Sequence, residues 1–147
     1  MSSDPVILGI ILSDSVIREW GTGKLSLIGC FNAYNVPGFP FQVPPFVTTI
    51  ILTNFKGKLT KPKNVTARIE DPTNSIVLAN ISGQINAPPE YDFTGAEVLE
   101  MAFPMMPFPI YHAGRYSVDV LIDGEKVGSR DIMVVSTTAQ SLPPQKM

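Results

Sequence analysis

A chain of 147 residues, 44% apolar and 16% charged, is long enough to bury one sizeable core without cross-links. Its net charge of −2 is too small to steer a partner from a distance, and a single Cys with a single His excludes an internal disulfide and a conventional zinc site. Fourteen prolines and eleven glycines argue against long helices and for many short strands.

Met1 to Pro5 reads as a loose polar start. The apolar run Val6 to Leu12 is seven residues long, against the roughly 20 a membrane helix needs. It also lacks the basic flank and small-residue cleavage site of a signal peptide. The expected compartment is the cytoplasm, with no membrane partner. Val6 to Trp20 reads as a first strand bent at Ser13-Asp14-Ser15; helical spacing of Ile10, Ile11, Asp14, Ile17 and Arg18 is the competing reading, and the β-branched content with the turn that follows favours strand. Gly21-Thr22-Gly23 is a tight reversal into KLSLIGCF, in which Leu25, Leu27, Gly29 and Phe31 share one side. Gly29 inside a strand predicts a bulge or a close backbone approach.

Asn32 to Pro45 holds four prolines and three aromatic rings and reads as an ordered loop. Phe46 to Phe55 is apolar on both sides and reads as a central strand. Lys56 to Asn64 is a basic connection. Val65, Ala67 and Ile69 alternate with polar residues in a two-faced strand that stops at Asp71-Pro72-Thr73-Asn74, with Ile76 to Ser82 as its hairpin partner. Gly83 to Gly95 reads as a polar loop, Ala96 to Phe103 as a strand, and Phe103 to Tyr111 as an uncharged segment with three prolines. Gly114 to Ser136 is the clearest hairpin: Tyr116, Val118, Val120 and Ile122 alternate with polar residues, and Asp123-Gly124 is turn chemistry. Residues 137–147 read as a polar tail, leaving 1–136 as one domain. The pattern predicts an all-β fold, an antiparallel Greek-key β-sandwich of seven or eight strands.

HAGRYSVDV resembles strand F of an immunoglobulin-like domain, with Tyr116 at the tyrosine corner and Val118 where the second Cys would stand. The resemblance implies an immunoglobulin-like hairpin without the disulfide. GKLSLIGCF (23–31), Phe39-Pro40, Asp71-Pro72 and GRYSVDVLIDGEKVG (114–128) are together similar to a bacterial family of small β-sandwich proteins of unknown function. That similarity implies a fold and a bacterial source, and carries no catalytic residue.

Chemistry is sparse. His112 has no marked nucleophile or carboxylate partner, and GxSxG and HExxH are absent. Cys30, in an apolar strand, is expected to be a buried, unreactive thiol. Asp71, Asn74, Asp92, Asp123 and Asp131 fit ordinary turns better than a calcium loop. Lys56, Lys58, Lys61 and Lys63 suit a solvated loop better than an anion or nucleic-acid grip, because stacking aromatics are missing apart from Phe55. YNVPGFPFQVPPF (34–46) and FPMMPFPIY (103–111) either plug the ends of the fold or meet a partner. Within the second, Phe103, Met105, Met106, Phe108 and Tyr111 are the candidate contacts for a homodimer or another protein partner. No catalytic residue, metal ligand or cofactor is assigned. The expectation is a non-enzymatic binding or assembly module; the alternatives are an enzyme with a site near His112 and an anion or nucleic-acid binder through Lys56–Lys63.

Overall fold

The computed structural model describes residues 5–137, so the expected polar start before Pro5 and residues 138–147 of the expected tail lie outside the described residues. In chain order the strands are β1 (Val6–Arg18), β2 (Leu25–Phe31), β3 (Ala33–Val36), β4 (Phe41–Val43), β5 (Phe46–Thr53), β6 (Lys56–Gly57) and β7 (Lys63–Asp71). β8 (Ile76–Ile85), β9 (Phe93–Thr94), β10 (Leu99–Met105), β11 (Phe108–Ile110), β12 (Gly114–Ile122) and β13 (Glu125–Ser136) complete them. The fold is all-β, as the turn-punctuated pattern predicts. Thirteen strands among the described residues stand where seven or eight were expected.

Two sheets dominate, one of four strands in the order β10-β5-β1-β2 and one of five in the order β3-β13-β12-β7-β8. Two small ribbons, β11-β4 and β6-β9, flank them. One apolar cluster joins the sheets: Leu12, Ile50, Leu52 and Phe103 come from the first, and Val65, Ile69, Val118, Val120 and Val134 from the second. Alternation explains this, since residues two apart along a strand point to the same side. β7 shows it residue by residue, with Val65, Ala67, Ile69 and Asp71 buried and the residues between them half-buried. β5 lies between β1 and β10 and is buried or half-buried throughout, which accounts for its apolar run.

Three expectations are corrected. The region expected to be a loop, 32–45, contains β3 and β4; its prolines 37, 40, 44 and 45 fall just outside those strands, where no ladder N–H is needed. The prolines of 103–111 do not prevent pairing. Pro104 sits in β10, an edge strand, opposite Val47 of β5, and Pro109 sits in the two-stranded β11-β4 ribbon opposite Gln42. A missing N–H costs nothing on a strand's unpaired side. The pairing is also not purely antiparallel, because β3 runs parallel to β13 from Ala33↔Met133 to Val36↔Ser136.

β2 and β3 are separated only by Asn32, so the chain leaves the four-stranded sheet and joins the five-stranded one within a single residue. Arg130 of β13 pins this crossing: Nη1 donates to the Ile10 carbonyl at 3.0 Å and Nη2 to Asn32 Oδ1 at 2.6 Å. The expected irregularity at Gly29 is present. Its φ is +71°, and a Cβ there would overlap the Asp14 carboxylate.

Candidate functional site

The two sheets present very different outer faces. Directly paired residues of neighbouring strands share a face. On the five-stranded sheet, Arg68 pairs with Asp119 of β12 and Asn80 of β8, and Asp119 with Ser129 of β13, so the outward row is charged and polar. Asp119 is 1% exposed beneath its neighbours. It accepts from Arg68 Nη2 at 3.1 Å and Ser129 Oγ at 2.8 Å, with Lys126 Nζ 3.4 Å away; Arg68 also pairs with Glu70 at 3.5 Å. Burial pushes the Asp119 carboxyl up, but the bonds from Ser129, Arg68 and Lys126 outweigh it and hold the pKa below its ordinary value. This is a face built for water.

The outer face of the four-stranded sheet is nearly uncharged, mixing aliphatic side chains with the hydroxyls of Ser13, Ser15, Ser26, Thr49 and Thr53, of which Ser13 and Thr49 are buried. Leu12, Ile50 and Phe103 point into the core, so the alternate residues point out: Ile11 with Thr49, Ser13 with Val47 and Cys30, and Ser15 with Ile28. Leu8, beside a bulge between Ile7 and Gly9, is 58% exposed, and Val6, Ile17 and Ile28 also lie open to solvent. Along these four strands the outward positions carry one charge, Glu100, opposite Ile51.

The residues singled out in 103–111 divide. Phe103, Met105 and Phe108 are core residues, and the Phe108 ring packs edge-on against Phe46 at 6.2 Å. Met106 and Tyr111 are exposed at 74% and 64%. The segment is mainly a plug between the sheets, so its lack of charge reports burial. Of the lysines, Lys56 lies in β6, Lys58 and Lys61 are exposed in the following connection, and Lys63 opens β7 with its Nζ 3.6 Å from Asp123 Oδ2. Cys30 corrects the expectation of a buried thiol. It is exposed, because Leu27 and Phe31 take the inward positions of β2 and leave Cys30 facing out beside Ser13.

His112 has partners the sequence did not reveal. Its Nε2 lies 2.7 Å from Asp71 Oδ2 and its Nδ1 2.8 Å from the Ala113 carbonyl, while the ring stacks on Tyr116 with centroids 5.3 Å apart. The Tyr116 hydroxyl, 2% exposed as a residue, donates to the His112 carbonyl at 2.7 Å, four residues upstream as the corner predicts. Asp71 also accepts from Thr73 N and Asn74 Nδ2, closing the turn between β7 and β8. With acceptors on both ring nitrogens the imidazole needs a proton on each. The Ala113 carbonyl and the Asp71 carboxylate push the His112 pKa up. An imidazole held in this way fastens the β7–β8 turn to the segment between β11 and β12. Among the described residues no group of His, Cys, Asp and Glu is placed to hold a metal ion, and no helix is long and apolar enough to cross a membrane. A groove of about 750 Å³ runs between Val6–Ile10 and Val127–Asp131, and His112 does not line it.

Among solved structures, the chain is similar to the Pseudomonas fluorescens alkylpurine DNA glycosylase AlkC bound to DNA containing an abasic site analog. The identity is 13% and the TM-score 0.46, over 90% of this chain and 31% of that one, so the chain spans about a third of that protein's length. No curated protein matches it. Residues 8–135 match the profile of a family of unknown function (DUF6941), and the chain belongs to that family.

Proposed function

We propose that the chain is a non-enzymatic, cytoplasmic assembly module, an immunoglobulin-like β-sandwich that self-associates through the outer face of its four-stranded sheet. The observation that carries this is the contrast between the two outer faces. One carries Arg68, Glu70, Asp119 and Lys126 beside the exposed Val77 and Met133, and the other holds a single carboxylate among Leu8, Ile11, Val47, Ile51, Ile28 and a set of Ser and Thr hydroxyls. Water disfavours such a face by about 25 cal/mol per Å² of apolar area. Faces of this kind mark protein contacts, and a twofold homodimer is the simplest closed assembly. The immunoglobulin-like part of the proposal is supported by the Tyr116 corner and by the crossing at Asn32 between the sheets.

An enzyme near His112 is disfavoured by the commitment of both ring nitrogens. An anion grip on the lysines is disfavoured by the pairing of Lys63 with Asp123. Sedimentation velocity at tens of micromolar tests the reading. The wild type is expected to be a dimer, and Leu8→Lys combined with Ile28→Lys a monomer with an unchanged far-UV CD spectrum. A wild-type monomer at that concentration overturns it.

A further inference from the structure

We propose that the outer edge of β8 is a docking site for an extended, uncharged peptide of another protein, which adds itself there as a further strand of the larger sheet. β8 belongs to the five-stranded sheet, so this site is independent of the self-association proposed above.

Which main-chain groups this edge offers follows from the start of β7. The Asn64 N–H donates to Asp123 Oδ1 at 3.0 Å, and the Asn64 carbonyl accepts from Asp123 N at 2.8 Å. Both groups therefore point towards β12. Backbone direction alternates along a strand, so Thr66 and Arg68 bond β12 while Val65, Ala67 and Ile69 bond β8, where Gly83, Ile81 and Ala79 are their partners. Asn80, Ser82 and Gln84, opposite Arg68, Thr66 and Asn64, turn their N–H and C=O groups off the sheet. Side chains come closest across such unbonded pairs, and two of these pairs touch. Ser82 Oγ lies 2.8 Å from Thr66 Oγ1, and Gln84 Nε2 donates to Asn64 Oδ1 at 3.1 Å. The outward N–H and C=O groups of Asn80, Ser82 and Gln84 have no backbone partner among the described residues.

Free strand edges are normally blunted by charge, proline, bulges or brevity. The other outermost strands of the two large sheets comply: β10 holds Glu100 and Pro104, β2 is turned at Gly29 with its φ of +71°, and β3 has four residues. β8 runs for ten residues, IVLANISGQI, without a charge or a proline. Its register with β7 is unbroken from Ala79 to Ile85.

The chemistry of the occupant follows from this edge. Donors and acceptors on alternate residues of a strand are matched by another extended backbone, which is how strand addition obtains its affinity. In an antiparallel addition, each residue bonded to Asn80, Ser82 or Gln84 lies opposite it and shares its outward side. There hydroxyls and amides are the matching groups. The residues between turn inward, beside Ile81 and a groove of about 250 Å³ between Leu78–Ile81 and Pro104–Pro107. Met106, 74% exposed, forms part of its wall, and Met adapts to apolar side chains of varied shape. Neither β8 nor the groove carries a charge, so a charged side chain would lose water there without gaining a counter-charge. Charge complementarity thus selects a neutral strand, hydroxyl-bearing on one side and apolar on the other.

Fluorescence anisotropy with a labelled, end-capped peptide alternating Thr and Val over about nine residues tests this on the full chain. Saturable binding is expected. Ser82→Pro removes an N–H that points away from β7, so the fold should persist by far-UV CD while binding weakens about tenfold or more. Two modified peptides leave the protein untouched. N-methylation of the Thr amides, which face β8, should abolish binding, and N-methylation of the Val amides, which face away, should not. Leu8→Lys with Ile28→Lys should bind the peptide as the wild type does. Failure of the unmodified peptide to bind overturns the site, and so does binding that survives both Ser82→Pro and Thr methylation. If the peptide fails to bind and Ser82→Pro dissociates a wild-type dimer, a second copy covers the edge and the foreign strand is refuted. A wild-type monomer that binds the peptide removes the sheet-face reading and keeps this one.

Discussion

Replacing Asp71 with Asn and His112 with Gln, singly and together, isolates the bond that fastens the β7–β8 turn to the segment between β11 and β12. Asp71 is 4% exposed and the His112 side chain 35%. A hydrogen bond with a charged partner contributes about 1.5–3 kcal/mol, and solvent at the imidazole brings the expected coupling energy down to about 1–1.5 kcal/mol. Its pH dependence follows from the directions of the two pKa shifts. The Ala113 carbonyl and Asp71 raise the His112 value. That contribution is complete below the unfolded-state value of about 6.5 and is lost as pH rises through the higher folded-state value. Burial pushes the Asp71 carboxyl up, but the bonds from His112 and Asn74 outweigh it, and the folded-state pKa lies below the ordinary one. That contribution is complete above about pH 3.9 and is lost as pH falls through the lower value. The coupling should therefore be greatest between about pH 4 and 6.5 and fade in alkali. Urea melts followed by far-UV CD are the assay, because that signal reads the strands themselves and not the single Trp20 in the β1–β2 turn. A coupling energy near zero at about pH 5.5, or one unchanged at about pH 9, refutes the charged clamp.

Tyr116→Phe removes a donor to the His112 carbonyl and should cost about 1 kcal/mol or somewhat more in the same melts; no change would remove the corner from the account. Thr48 is 0% exposed, and its hydroxyl has no hydrogen-bond partner among the described residues. Thr48→Val, which keeps the shape and deletes the orphaned hydroxyl, should raise stability by about 1 kcal/mol, and a loss of that size would show that the hydroxyl has a partner. Cys30 should react with Ellman's reagent without denaturant, more slowly as protein concentration rises and the sheet face becomes covered. A native thiol that resists labelling even at high dilution would contradict its outward position.

The parts of the fold that sequence revealed are those whose information is local. The β12–β13 hairpin announces itself through strict alternation and through Asp123-Gly124, whose φ angles of 50° and 84° are both positive, as a tight hairpin turn requires. β7 was legible for the same reason, and β5 through its unbroken apolar run. β3, β4 and β11 were not, because strands of three or four residues between prolines carry too little period to register, and their partners lie far away in the chain. FPMMPFPIY stayed ambiguous because an uncharged run has the same composition whether it plugs a core or covers a surface. The apolar outer face did leave a trace: in FVTTIILT the residues that alternate with Phe46, Thr48, Ile50 and Leu52 include no charge. Cys30 likewise could have been placed outward from Leu25, Leu27 and Phe31. The Asp71–His112 contact joins residues 41 apart in sequence, and no spacing rule points to it.

The parallel pairing of β3 with β13 sets a schedule for synthesis. Ala33–Val36 leaves the ribosome about a hundred residues before Met133–Ser136, the only strand it pairs with among the described residues. At roughly 5–20 residues per second that is a wait of about 5–20 s. Through that interval β5 and the β1–β2 hairpin already exist as exposed apolar polypeptide, while the strand that joins β3 to the larger sheet does not. The nascent chain should therefore depend on holding chaperones until β13 emerges. Truncations ending before β13 should collect in the insoluble fraction, whatever their composition.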